Sequence, residues 1–74
     1  MKTQISASYQ NENKTGVIRI SKIVGTKPFE YTLQLFENSL VVLKKNKFTS
    51  ITSAIASASS YGFLTTLWTI EETE

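Results

Sequence analysis

The first half of the chain alternates between apolar and polar residues, which is the period of a β-strand with one buried face. Ile5, Ala7 and Tyr9 alternate with polar residues and predict a first strand. A polar, Asn-rich stretch at 10–15, closed by Gly16, predicts a hairpin loop before a β-branched second strand at 17–24. This spacing is typical of antiparallel strands that pack on one side.

Two further strands are predicted on either side of a short turn. Residues 25–28 should break the pairing, because Gly25 tolerates turn dihedrals and Pro28 cannot donate to a strand ladder. Apolar residues at 29, 31, 33 and 35 then alternate with polar ones and predict a third strand. After a turn at Asn38, the continuous apolar run at 40–43 is interpreted as a central strand covered on both faces.

After Lys47 the apolar period changes from that of a strand to that of a helix. The residues that recur at helical spacing, and that should pack on the sheet, are Ile51, Ala54, Ile55 and Ala58. Thr49 or Ser50 can cap the first turn by accepting a hydrogen bond from a free backbone N–H. We expect the helix to end near Gly62 and a last strand to follow at 64–70, where apolar residues alternate again.

Trp68 falls on the apolar side of that last strand, with Leu64 and Ile70 as its alternation partners. We expect a buried indole, because a short chain needs its largest apolar side chain in the core. The alternative is an exposed anchor at a binding surface, where tryptophan is enriched.

The order of elements is therefore ββββαβ, in a single domain that spans residues 1–74. The predicted fold class is α+β, a small and mainly antiparallel β-sheet with one helix packed on one face. The pattern contains no apolar segment long enough to cross a membrane. Because the alternation begins directly after Met1–Gln4, with no apolar leader, we expect a cytoplasmic protein.

The residue types that are absent narrow the chemistry. The chain contains no His, Cys or Asp. These residues supply the usual general base, the thiol nucleophile and the metal-binding imidazole. Gly16, Gly25 and Gly62 are isolated and lack the spacing of a phosphate-binding loop. We therefore expect no enzymatic activity, no cofactor and no metal site.

The long uncharged stretch is the main functional candidate. No charged residue occurs between Phe48 and Ile70, whereas exposed helices of small domains usually carry Lys and Glu on the outward face. The outward face of the predicted helix consists of Thr52, Ser53, Ala56, Ser57 and Ser60. This face predicts contact with a protein partner or with a second copy in a homo-oligomer, in an accessory, inhibitory or subunit role. The other interpretation is a neutral surface that contacts only water.

The alternative function is nucleic-acid binding through a sheet face and a basic cluster. The candidate contacts are Arg19, Lys22, Lys44, Lys45 and Lys47. A formal net charge of +2 is small for a protein that depends on neutralising phosphates. Lysines near a strand end also commonly protect sheet edges from aggregation.

A strand, a tight turn, a second strand that ends in Lys44-Lys45-Asn46-Lys47-Phe48 and an alanine-containing helix follow one another in this chain. That order is similar to the sheet-then-helix order of arm-type DNA-binding domains of recombinases. The arginines that read bases in such domains have no counterpart beyond Arg19, and no family is assigned.

Overall fold

The computed structural model describes residues 3–25 and 27–73, which form a five-stranded antiparallel sheet with a helix against it. The strands are β1 (Thr3–Asn11), β2 (Lys14–Val24), β3 (Lys27–Glu37), β4 (Leu40–Phe48) and β5 (Thr69–Thr73). The helix α1 (Ile51–Ser59) is followed by a 3₁₀ turn (Thr65–Leu67). The strand order is β4-β3-β2-β1-β5. The α+β class, the ββββαβ order and the helix on the sheet are thus confirmed.

The strand register decides which side chains face α1. Ala7 pairs with Ile18, and Ile18 pairs with Leu33, so these three buried side chains form one row under the helix. The other face carries a second row, in which Val17 lies between Ser8 and Gln34. We call this second side the open face. The core residues are Ala7, Tyr9, Ile18, Tyr31, Leu33, Leu35, Ile51, Ala54, Ile55, Ala58, Phe63 and Trp68.

The helix α1 begins and packs as its sequence predicts. Ser50 has an extended backbone, and its Oγ accepts a hydrogen bond from the N–H of Ser53 at 3.1 Å, which satisfies a donor of the first turn. The four residues at helical spacing are all buried. Alanine at two of these positions brings the helix close to the sheet. Within the described residues, no helix is long and apolar enough to cross a membrane.

The first hairpin is tighter than the sequence indicates. A loop was expected over 10–15, but Gln10 pairs with Thr15 and Asn11 with Lys14, so β2 begins at Lys14 and the turn consists of Glu12 and Asn13. The polar residues that flank the turn belong to the strands. They are accepted there because the open face and the end of the sheet contact water. Polarity alone therefore does not distinguish a loop from the end of a hairpin.

The second hairpin also extends past its predicted limits. Ile23 pairs with Pro28 and Val24 with Lys27, so the expected break over 25–28 is reduced to a turn at Gly25, with φ 63°, while Thr26 lies outside the described residues. Proline is tolerated at such a position because β4 begins to pair with β3 only at Tyr31, which leaves β3 a free edge here.

Residues 21–24 and 27–30 form a two-stranded arm. The pairing of β1 with β2 stops at Arg19, and that of β4 with β3 stops at Tyr31, so this part of the hairpin projects beyond the sheet. The long axis of the molecule is accordingly 37 Å, against 20 and 18 Å for the other two. Phe29, expected on the buried face of the third strand, lies on this arm and is exposed. Tyr31, Leu33 and Leu35 are buried as expected.

The prediction that residues 40–43 form a central strand is wrong. The strand β4 lies at one edge of the sheet. Leu40 is 71% exposed and Val41 is 63% exposed. A continuous apolar run fits a central strand, but its position in the sheet depends on where the other strands pair, which its own residues do not encode.

The predicted strand at 64–70 is also wrong in its limits. After the 3₁₀ turn, β5 begins only at Thr69 and includes Glu71 and Glu72, which lie beyond the predicted end of the strand. Trp68 is buried, as expected, and its ring centroid lies 5.3 Å from that of Tyr9. Its proposed partner Leu64 is exposed instead.

Candidate functional site

The outer side of α1 carries the residues that the sequence singles out as an interface. With one side of the helix buried on the sheet, Thr52, Ser53, Ala56 and Ser60 are exposed and Ser57 is half-buried. Two hydrogen bonds within the helix involve Ser53 and Ala56 of this set. Ser50 Oγ lies 2.9 Å from Ser53 Oγ, and Ser59 Oγ donates to the carbonyl oxygen of Ala56 at 2.6 Å. Because the opposite side of α1 is buried, the five predicted residues lie together on the outer side of the helix.

The chain reverses direction at the end of α1. Gly62 has φ 86°, a left-handed conformation that favours glycine after a helix. The N–H of Tyr61 donates to Ala58 O at 2.9 Å, and the N–H of Phe63 donates to the same oxygen at 3.3 Å. This turn places Phe63 in the core and leaves Tyr61 and Leu64 on the outside.

Eight residues on the outer side of α1 and in the segment after it are uncharged and reach the surface, and we call them together the neutral layer. Its apolar members are Tyr61, Leu64 and Leu67, which are 46%, 56% and 43% exposed. They follow α1 in the chain, and α1 contacts the 3₁₀ turn that contains Leu67. The full set is Thr52, Ser53, Ala56, Ser57, Ser60, Tyr61, Leu64 and Leu67.

Sequence reasoning missed the three large members of the neutral layer. Leu64 was assigned to the buried side of a strand because it alternates with Trp68 and Ile70. Gly62 predicts where the helix ends, but the 3₁₀ turn that follows at Thr65–Leu67 was not predicted.

The neutral layer has a fixed base. The Tyr9 hydroxyl oxygen accepts hydrogen bonds from the N–H of Leu64 at 3.4 Å and from Asn11 Nδ2 at 3.3 Å. The Tyr9 ring lies between the rings of Phe63, at 5.0 Å, and Trp68, at 5.3 Å. At its border, Lys14 Nζ donates to Gly62 O at 3.5 Å. The exposed side chains therefore project from a packed support.

The basic residues proposed for nucleic acid are dispersed. Arg19 pairs with Thr32, and Lys44 pairs with Gln34, two residues further along β3, so both lie on the open face. Lys45 pairs with the buried Leu33 and therefore lies on the opposite face.

The two remaining lysines lie apart from this pair. Lys22 is on the arm, across from Glu30. Lys47 adopts φ 72° at a bulge near the end of β4. The five residues therefore do not form one cluster. A depression of about 320 Å³ lies at the β4 edge of the sheet and is lined by Thr32, Lys44, Lys45 and Asn46.

Another depression, of about 490 Å³, lies where the first and third hairpin turns meet. Gln10, Asn13 and Asn38 present amide groups around Phe36 there, which can donate and accept hydrogen bonds.

In the part of the chain that the structure describes, no three glutamates come together in a metal-binding group.

Comparison with known proteins gives no relatives. No protein-family model, no curated protein and no solved structure matches this chain. Inferences about function therefore come from its own residues.

Proposed function

We propose that this chain is a non-enzymatic binding module that acts through protein contacts, in an accessory, inhibitory or subunit role. The observation that carries the proposal is the neutral layer, in which Tyr61, Leu64 and Leu67 are exposed and small uncharged residues cover the outer side of α1. Interface centres are depleted of charge and enriched in aromatic residues. Small helical residues such as Ala56 also leave room for a partner's backbone.

The distribution of charge supports contact with protein over a surface that is only solvated. All charged residues lie at or before Lys47 or from Glu71 onward, so the neutral layer has none. Solvated surfaces of small domains usually mix both signs of charge, which keeps them soluble. An uncharged surface with three exposed large side chains is typical of a patch that is covered in a complex.

The nucleic-acid alternative has less support. Phosphate binding needs several cations on one surface. Here Arg19 and Lys44 share the open face, Lys45 lies on the other, and Lys22 is across from Glu30. Titration with labelled single- and double-stranded oligonucleotides at low salt tests it. The alternative would be supported if the wild type binds and the double variant Lys44→Glu with Lys45→Glu does not.

A capture experiment with matched variants tests the protein proposal. The wild-type chain is used as bait in native cell extract, with and without nuclease. Ala56→Lys places a charge in the neutral layer, and Ser8→Lys places the same charge at an exposed site on the open face. We expect a retained protein that Ala56→Lys loses and Ser8→Lys keeps. Equal retention by all three baits, or loss on nuclease treatment, would contradict the proposal.

A further inference from the structure

The two edges of the sheet carry opposite charge. At one edge, β4 presents Lys44, Lys45 and Lys47, all exposed. At the other edge, β5 presents Glu71 and Glu72, also exposed. Three strands separate these edges within one molecule, so the two sets of charge face away from each other.

Each edge carries its charge on both faces of the sheet. Lys44 lies on the open face and Lys45 on the face of α1. Glu71 pairs with Ser6, which lies on the open face opposite Arg19, and Glu72 follows it on the other side. Opposite charges would therefore meet on each side of a sheet in which β4 of one copy lay beside β5 of another.

The direction of the two strands adds a second match. Neighbouring strands are antiparallel throughout the order β4-β3-β2-β1-β5, so β4 and β5 run in the same direction. On β4 the exposed Leu40 precedes Lys44 by four positions, as the exposed Leu67 precedes Glu71. A parallel register that sets Lys44 beside Glu71 also brings Leu40 to the same end of the contact as Leu67.

Neither segment is a regular strand over these four positions. A bulge interrupts β4 between Val41 and Leu43. On the other side, Leu67 belongs to the 3₁₀ turn that precedes β5. An antiparallel register with the same charge pairs would instead place Leu67 beside the basic end of β4.

We propose that a second copy of this chain docks its β5 edge in parallel on the β4 edge of the first and extends the sheet. Unpaired backbone groups at a sheet edge accept a further strand. Like charges oppose the pairing of β4 with β4 or of β5 with β5, so the charges select the mixed contact. Such a head-to-tail contact leaves one edge free on each side, so copies add in a linear series.

The contact is weak and depends on salt. The regular ladder on β4 is short, since bulges flank the segment from Leu43 to Lys45. The remaining attraction is between exposed charges, which ions screen over about 30 Å at 0.01 M and about 3 Å at 1 M. Association therefore increases with protein concentration and decreases as salt is added.

Charge reversal at each edge tests the proposal by sedimentation velocity of the whole chain. Lys44→Glu with Lys45→Glu makes both edges acidic, and Glu71→Lys with Glu72→Lys makes both basic. At low salt we expect the wild type to associate and each variant alone to sediment as a monomer. An equimolar mixture of the two variants should associate again, because each then offers the edge that the other lacks.

The control has the same change in net charge as the acidic variant but leaves the edges intact. It is Arg19→Glu with Lys22→Glu, on β2, which is neither of the two edge strands, and it should associate like the wild type. Circular dichroism confirms that each variant is folded. A wild type that remains monomeric at low salt, or a mixture that fails to associate, would overturn the proposal.

This inference goes beyond the protein-binding proposal and fails separately from it. Ala56 is outside the edge contact, so Ala56→Lys should leave the low-salt association unchanged. If Ala56→Lys abolishes association while the edge variants keep it, the copies meet through the neutral layer and the edge proposal is wrong.

Discussion

The distal ring of Trp68 lies directly against the backbone of Gly16, in the space that a side chain at residue 16 would occupy. A β-carbon built there would overlap the ring and would lie 3.0 Å from Cζ2. Gly16 is part of β2 and pairs with Tyr9 on one side and with Leu35 on the other, so the indole is seated on the middle of the sheet. Glycine is needed here for close approach.

Gly16→Ala should destabilise the protein, because the ring belongs to a packed core and has little room to move. Overpacking of this kind costs about 1–3 kcal/mol. Trp68→Phe removes the distal ring and should abolish that cost. In this second background, Gly16→Ala should be neutral or stabilising, since alanine suits a strand better than glycine by about 0.5–1 kcal/mol.

Urea unfolding of the four chains in a double-mutant cycle measures the coupling. Additive effects of the two substitutions would show that contact with Trp68 is not the reason why alanine is unfavourable at residue 16. The cycle also reports on the Trp68 N–H, which is buried without a hydrogen-bond acceptor among the described residues. Phenylalanine removes that unsatisfied donor, which offsets part of the lost burial.

Tyr31 should make stability depend on alkaline pH. Burial raises the pKa of Tyr31 above its ordinary value of 10.0, and its hydroxyl donates to the carbonyl oxygen of Gln4 at 2.9 Å. The unfolded chain ionises first as pH rises, so the contribution is complete below pH 10 and is lost as pH rises through the higher folded pKa. Tyr31→Phe should cost about 1 kcal/mol at neutral pH, for the lost hydrogen bond.

The measurement is the free energy of unfolding against pH for wild type, Tyr31→Phe and Tyr61→Phe. Tyr61 is exposed, so its variant is the matched control and should follow the wild type. The difference between Tyr31→Phe and wild type should shrink above pH 10. A constant difference across this range would show that Tyr31 ionises equally in both states.

Patterns within single elements predicted much of this fold. The spacing of Ile51, Ala54, Ile55 and Ala58 identified the buried side of α1, because helical geometry places those positions together. Alternation identified Tyr31, Leu33 and Leu35 as core for the same local reason. The outer residues of α1 followed directly as the remaining side.

Relations between elements were not predictable in this way. The exposure of Leu40 and Val41 depends on the place of β4 in the strand order, and the exposure of Phe29 depends on where neighbouring strands stop. The close approach of Trp68 to Gly16 joins residues far apart in the chain. A single sequence carries little information on such distant contacts.

Ser50 should contribute measurably to α1. Its Oγ accepts from the Ser53 N–H at 3.1 Å, and loss of such a cap costs about 1 kcal/mol. Ser60→Ala at the opposite end is the control, because Ser60 contributes its backbone N–H to the helix end. Thermal unfolding should show a lower midpoint for Ser50→Ala than for Ser60→Ala. Equal midpoints would show that the cap bond does not stabilise the helix.

Replacing Ser39 by glycine should stabilise the protein. The turn between β3 and β4 consists of Asn38 at φ 54° and Ser39 at φ 66°. Two positive angles are the pattern that favours Asn-Gly in two-residue hairpins. A left-handed conformation costs a residue with a side chain about 1–2 kcal/mol, and glycine avoids this cost but gives back part of the gain as lost chain entropy.

We therefore expect Ser39→Gly to increase the free energy of unfolding by about 0.5–1 kcal/mol. Ser8→Gly, in the interior of β1, should decrease it by about 0.5–1 kcal/mol, because glycine there loses entropy with no strain to relieve. The turn itself should stay in place. Asn38 donates its N–H to Asn13 O at 2.9 Å, and its Oδ1 accepts from Asn13 Nδ2 at 2.8 Å, which joins the first and third hairpin turns. If urea unfolding finds Ser39→Gly less stable than the wild type, backbone strain at Ser39 does not reduce the stability of the protein.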